Sequence, residues 1–197
     1  MDFSRFDREE REVVARIVHS CADPSIVESI AIATGAISAA IGAIRNGHAV
    51  ITDVEMVKSA IYFGSPVCML GDVVQSEGNK TRTQLGIERA ALANAENSIF
   101  VIGCAPTALE SVIELSRQGA INPSAIIALP VGYVGAAEAK AHLAHSQLRY
   151  ITNIGVRGGS AITAAAFNAI ARMASGTYSF EAAIGSSVAA DLPEKTR

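Results

Sequence analysis

The chain has 197 residues, with 16 Lys+Arg against 19 Asp+Glu and a formal charge of -3. That length supports one domain with a full core and no need of metal or disulfide staples. Half the residues are apolar and 18% are charged, which excludes a disordered chain, and the balance of charge excludes a strongly basic nucleic-acid binder.

Residues 1–5 lead into a charged run at 7–12 rather than into an apolar core, so the start of the chain does not read as a secretory signal. Ser4-x-x-Asp7 has the form of a capping box and opens a helix. Val14, Ile17, Val18 and Cys21 make its apolar stripe, and Pro24 marks its end. Residues 29–44 carry no charge, but they are broken by Gly35 and Gly42 and fall short of the roughly 20 apolar residues a membrane span needs. They read as a buried small-residue helix, taken as 35–45 and stopped by Asn46-Gly47. From residue 49 the rhythm changes. Apolar runs at 49–52, 67–70, 99–102, 125–129 and 150–154 alternate with helical stretches at 53–62, 82–94, 107–118 and 136–144. A last helix covers 160–173. Continuous apolar strands separated by helices predict a parallel sheet covered on both faces. The expected fold is α/β: a three-layer α/β/α sandwich with a five-stranded, mostly parallel sheet, flavodoxin-like. Residues 1–174 form one domain in this reading, with the N-terminal helices packed on it. Residues 175–197, richer in Ser, Gly and charge, form a C-terminal extension. Cys21, Cys68 and Cys104 are widely spaced and odd in number, as expected of free thiols in a reducing cytoplasm.

In such sheets ligands bind beyond the carboxyl ends of the strands. The loops there are Thr52-Asp53-Val54-Glu55-Met56, then Gly71-Asp72 with Asn79-Lys80-Thr81-Arg82, then Gly103-Cys104-Ala105-Pro106-Thr107. Two more follow, Pro130-Val131-Gly132-Tyr133-Val134-Gly135 and Gly155-Val156-Arg157-Gly158-Gly159-Ser160. Glycine lets backbone N–H groups approach a ligand, and helix N-termini favour anions. Arg82, Lys140 and Arg157 add charge-assisted donors. Together the loops predict a large anionic ligand spanning several of them, although a tight turn accounts for any one glycine alone. The P-loop, the G-x-G-x-x-G fingerprint after the first strand and the G-x-S-x-G elbow are all missing. His142 and His145, spaced i,i+3 without an acidic partner nearby in sequence, read as surface histidines rather than as a metal pair. His19 lies nearly opposite the apolar stripe of its helix, on a face shared with Arg8, Glu12, Ala15 and Arg16. That is an ordinary solvated face. It is also the last turn, where the helix dipole favours an imidazolium, and a histidine poised between two protonation states is a natural proton donor.

Several of these segments resemble the precorrin-8X methylmutase family of cobalamin biosynthesis. They are Ile17-Val18-His19-Ser20-Cys21, Asp53-x-x-Met56-Val57, Asn79-x-Thr81-Arg82 and Ala105-Pro106-Thr107-Ala108-Leu109. The two longest are Pro130-Val131-Gly132-Tyr133-Val134-Gly135-Ala136-Ala137-Glu138-x-Lys140 and Arg157-Gly158-Gly159-Ser160-Ala161-x-Thr163-Ala164-Ala165-Ala166-x-Asn168. They are collinear and span roughly residues 3–174. The resemblance implies a cytoplasmic isomerase. It moves a methyl group between neighbouring carbons of ring C of precorrin-8X, or of cobalt-precorrin-8, by a [1,5]-sigmatropic shift. The product is hydrogenobyrinate or cobyrinate, and no cofactor or bound metal takes part. His19 matches the family's catalytic histidine, whose role is to protonate or hydrogen-bond the macrocycle beside the migrating methyl, and Arg82 matches an arginine near the substrate. The loop reading and the resemblance together give the other substrate-binding candidates: Asp53, Met56, Thr81, Thr107, Gly132, Tyr133, Val134, Gly135, Lys140, Arg157, Gly158, Gly159 and Ser160. The resemblance also implies a homodimer with active sites near its interface, and no membrane or nucleic-acid partner. Ala22 and Cys104 depart from the family pattern, which usually has Gly and Asn there. The alternative is a non-catalytic tetrapyrrole-binding homologue, and a third reading is an unrelated α/β enzyme acting on a phosphorylated metabolite. Conversion of a corrinoid separates the first two; phosphate binding marks the third.

Overall fold

The computed structural model describes residues 2–75 and 78–176. The first helix, α1, runs Arg8–Cys21. Its capping box is Asp7-x-x-Glu10: Asp7 Oδ1 accepts the Glu10 N–H at 2.9 Å and Glu10 Oε2 accepts the Asp7 N–H at 3.0 Å. The box expected at Ser4 therefore sits one turn later, because the longer Glu side chain reaches back where Asp does not. Val13, Val14 and Ile17 are fully buried. Glu12, on the face read as solvated, is buried too, and desolvation raises its carboxyl above the usual range against the opposing charges of Arg16 and Arg8. Ala22 closes the helix in the left-handed region.

A 3-10 turn at Pro24–Ser29 leads into β1 (Ile30–Ile32). Then follow α2 (Ala36–Arg45), β2 (Val50–Thr52), α3 (Glu55–Ala60), α4 (Arg82–Ala93), β3 (Ile99–Ile102) and α5 (Pro106–Arg117). The chain continues through β4 (Ala125–Ala128), α6 (Ala136–Ala144), β5 (Tyr150–Asn153) and α7 (Ser160–Ser175). Of the C-terminal extension expected at 175–197, residues 177–197 lie outside the described residues. No helix among the described residues is long and apolar enough to cross a membrane.

The sheet has five strands in the order β1-β5-β4-β3-β2, with β1 antiparallel to β5 and the other pairs parallel. The membership differs from expectation. β1 was not predicted, and the apolar run at 67–70 supplies one parallel bridge, Val67 to Ile51, on the free side of β2. Two contacts stop that run from extending. The Arg82 guanidinium takes the carbonyls of Leu70 (3.4 Å) and Val73 (2.7 Å), and Gly86 of α4 packs directly on the backbone of Met69 and Leu70. With the bridge counted as a strand rudiment, the parallel strands follow the 2-1-3-4-5 order of a flavodoxin-like sheet.

Alternation along the strands produces the three layers. Ile99, Val101, Ala125, Ile127 and Ile151 face a core shared with α1, α2 and α7. Ile51, Phe100, Ile102, Ile126 and Ala128 face the opposite core, under α4, α5 and α6. The alanines of α7 let α1 approach closely. All the parallel strands end at one edge, and the loops there carry the predicted site.

Candidate functional site

In this order the direction of winding switches between β2 and β3, the position where doubly wound sheets open a crevice. Asp53 stands at the end of β2 and is 2% exposed. Its carboxylate accepts three successive backbone N–H groups beyond β3: Gly103 at 3.1 Å, Cys104 at 2.8 Å and Ala105 at 2.7 Å. Desolvation raises its pKa above the ordinary carboxylate value, and the three N–H donors oppose that shift. Asp53, expected among the substrate contacts, is buried, and its two oxygens hold the turn that starts α5. Gly103 is required at this turn: a Cβ there would lie 2.8 Å from both Ser160 Cα and Val57 Cγ2.

The loops after β4 and β5 are knotted together. Gly132 N–H donates to the Val156 carbonyl at 3.0 Å and Gly159 N–H to the Leu129 carbonyl at 2.8 Å. Beneath them lies Lys140, fully buried. Its ammonium donates to Asn153 Oδ1 at 3.1 Å and to the Arg157 carbonyl at 2.5 Å. Burial and the nearby Arg157 charge lower its pKa to about 8. Lys140, like Asp53, thus lies beneath the loops with its polar atoms on protein partners. The Arg157 guanidinium pairs with Asp23 and donates to Ser25 Oγ at 2.8 Å.

That pairing ties the end of α1 to the site edge. The Ile154 N–H donates to the Ser29 carbonyl at 2.8 Å, and Ile30 stands opposite Asn153 in the sheet. The segment just after His19 is therefore fastened to the carboxyl edge, and His19 lies exposed in the last turn of α1. Thr81 caps α4, and its hydroxyl lies 3.1 Å from Thr107 Oγ1 and 3.0 Å from Thr83 Oγ1. Arg82 follows it, exposed, with two of its nitrogens committed to backbone carbonyls. Gly135 and Gly159 are the N-caps of α6 and α7, and neither helix start has a side-chain cap, while Ser160 opens α7 nearly buried. Around the edge large apolar side chains stand in solvent: Met56 at 72%, Tyr133 at 92% and Val134 at 90% exposure. His142 and His145 lie elsewhere on α6, paired with Glu110 Oε2 and the Ala141 carbonyl, each at 2.7 Å.

The structure thus brings Thr81, Thr107, Arg82 and the glycine loops to the carboxyl edge and places Asp53 and Lys140 beneath the loops, while His19 is placed only by its helix, whose following segment at Asp23 and Ser25 is tied to Arg157. Sequence reasoning missed Asp23, Ser25, Thr83 and Asn153. Only Asn153 carried a signal: it is a polar residue inside an apolar strand run. The contacts of Asp23 and Ser25 span more than 130 positions and leave no local trace.

A family model described as precorrin-8X methylmutase matches residues 1–173. A cobalt-precorrin-8 methylmutase of Priestia megaterium is 38% identical over 186 residues, covering 89% of this chain and 83% of that protein. A precorrin-8X methylmutase of a Sinorhizobium species is 36% identical over 187 residues, covering 87% of each. Among solved structures, a precorrin-8X methylmutase related protein superposes with a TM-score of 0.81 at 32% identity, covering 88% of this chain and 95% of that one. A precorrin-8X methyl mutase from Thermus thermophilus superposes with a TM-score of 0.79 at 30% identity, covering 89% and 90%.

Proposed function

The chain belongs to the precorrin-8X methylmutase family, and from that membership we propose that it is an isomerase of cobalamin biosynthesis. It moves a methyl group on ring C of precorrin-8X, or of its cobalt form, to give hydrogenobyrinate or cobyrinate. The observation that carries this reading is the family match over residues 1–173, which takes in every loop at the carboxyl edge.

A methyl shift of this kind transfers no hydride and needs no nucleophile. The protein has to orient the macrocycle, exclude competing geometries and supply one acid. His19 is that acid, exposed in the last turn of α1. The helix starts at Gly135 and Gly159, without side-chain caps, suit the carboxylate arms of a corrin precursor. Met56, Tyr133 and Val134 suit its hydrocarbon face. The same exposed apolar rim supports a homodimer that brings two such edges near each other. Three free thiols support a cytoplasmic location.

The test is conversion. The protein and its His19→Ala variant are incubated with precorrin-8X and, separately, with cobalt-precorrin-8, and the visible spectrum is followed. Appearance of the product spectrum with the wild type, slowed about 100-fold or more in the variant, is the expected result. Binding of both substrates without conversion by the wild type overturns the enzyme reading and leaves a corrinoid carrier.

A further inference from the structure

Lys140 carries a charge in a place where charge is costly. Its side chain is fully buried, and no carboxylate among the described residues pairs with it. Its two acceptors are neutral oxygens, one from Asn153 and one from the Arg157 backbone. A buried ammonium held only by neutral groups lowers stability relative to an apolar side chain of the same length. Stability of the core therefore does not account for this buried charge.

The far end of Arg157 indicates that role. Lys140 and Asn153 Nδ2 (2.9 Å) both draw the Arg157 carbonyl inward. The guanidinium reaches the other way, to Asp23 and Ser25. Asp23 directly follows Ala22, the C-cap of α1, and His19 is in the last turn of that helix. Two polar contacts, Lys140 to the Arg157 carbonyl and the Arg157 guanidinium to Asp23, joined by the Arg157 side chain and the backbone at Ala22-Asp23, thus link the buried ammonium to the helix end that presents the histidine.

We propose that Lys140 is a positioning residue for His19, acting through Arg157 and Asp23 on the C-terminal end of α1. This rests on the reading of His19 as the acid. Displacements near 1 Å cost an enzyme about 100-fold in rate, so a small relaxation of this helix end is enough to matter.

Two variants test it, Lys140→Met in the interior and Asp23→Asn on the surface. Each is measured for melting temperature at pH 7, for affinity toward the corrinoid product, and for single-turnover rate alone and in a His19→Ala background. For Lys140→Met the melting temperature is expected to equal or exceed that of the wild type. Affinity stays within about threefold while the rate falls about tenfold or more. Asp23→Asn reproduces the rate loss at unchanged affinity. In the His19→Ala background neither change lowers the residual rate by more than about twofold, because the group they position is gone. A wild-type rate for Asp23→Asn overturns the proposal, whether or not Lys140→Met folds. So does a Lys140→Met protein that loses stability and rate in parallel, or one that loses the same factor without His19. If His19→Ala alone retains the wild-type rate, the acid reading fails and takes this proposal with it. If His19→Ala is impaired and Lys140→Met is not, only the positioning role fails.

Discussion

A Cβ on Gly158 would stand 2.2 Å from the Leu129 carbonyl oxygen and 2.5 Å from that of Pro130. Both obstacles are backbone, so no rotamer change relieves them. Gly158→Ala is expected to cost about 3 kcal/mol or more, lowering the melting temperature by roughly 6–12 °C. Gly159 makes the control. Its φ of +129° is strained for other residues, yet nothing lies within 4 Å of an added Cβ. Gly159→Ala should therefore cost less, about 1–3 kcal/mol. Lys140 gives a residue-scale prediction in pH. Its folded pKa is about 8, below the ordinary 10.5 of the unfolded chain. Between those values the unfolded state binds more protons, so this group makes stability rise with pH across that window. Urea denaturation should find Lys140→Met more stable than the wild type at pH 7, with the gap closing between pH 8 and 10.5. A gap that stays constant with pH would show that Lys140 is not the titrating group.

At the scale of elements, α4 shows how one cap serves both fold and site. Thr81 accepts the Gln84 N–H while Gln84 reaches back to the Thr81 N–H. The same hydroxyl contacts Thr107 at the start of α5. Thr81→Ala should cost about 1 kcal/mol in denaturant unfolding, and Thr81→Ser should recover most of it. Elements of this kind were legible in the sequence because their signals are local. The strands at 99–102 and 125–128 are short apolar runs bounded by helices, and Pro106 and Gly135 mark helix starts in the usual way. Two elements were misread for opposite reasons. Ile30–Ile32 is a three-residue strand lying against a small-residue helix, too short for a period to show, and its antiparallel pairing with β5 is a tertiary fact. Residues 67–70 have strand composition, but Arg82 and Gly86 claim their backbone from twelve or more positions away. The site follows the same division. The glycine loops and the end of α1 could be read, whereas the burial of Asp53 and Lys140 depends on which loops close over them.

For the molecule as a whole, the contrast between the two sides of the carboxyl edge decides what assembles there. Beneath the loops every strand residue of β3 and β4 is buried and the polar groups are matched, with no buried side-chain polar atom left unpartnered among the described residues. Above them Tyr133 and Val134 stand almost wholly in solvent, joined by Val131, Ile154 and Val156 from the same pair of loops. Apolar side chains clustered on loops fastened by Gly132 and Gly159 form a rigid patch, and rigid apolar patches mark interfaces or ligand sites. A substrate and a second subunit are both served by one patch if the site lies at the seam between copies. Sedimentation should then give a dimer for the wild type at micromolar concentration. Val134→Asp, a charge at 90% exposure that disturbs no core contact, should shift the protein to monomer. If the seam completes the site, activity of that variant should depend on protein concentration and recover toward the wild-type rate as dimers reform. A monomeric variant that keeps the full rate at every concentration would show that neither the seam nor an apolar side chain at position 134 is needed for turnover, with each chain working as a complete enzyme.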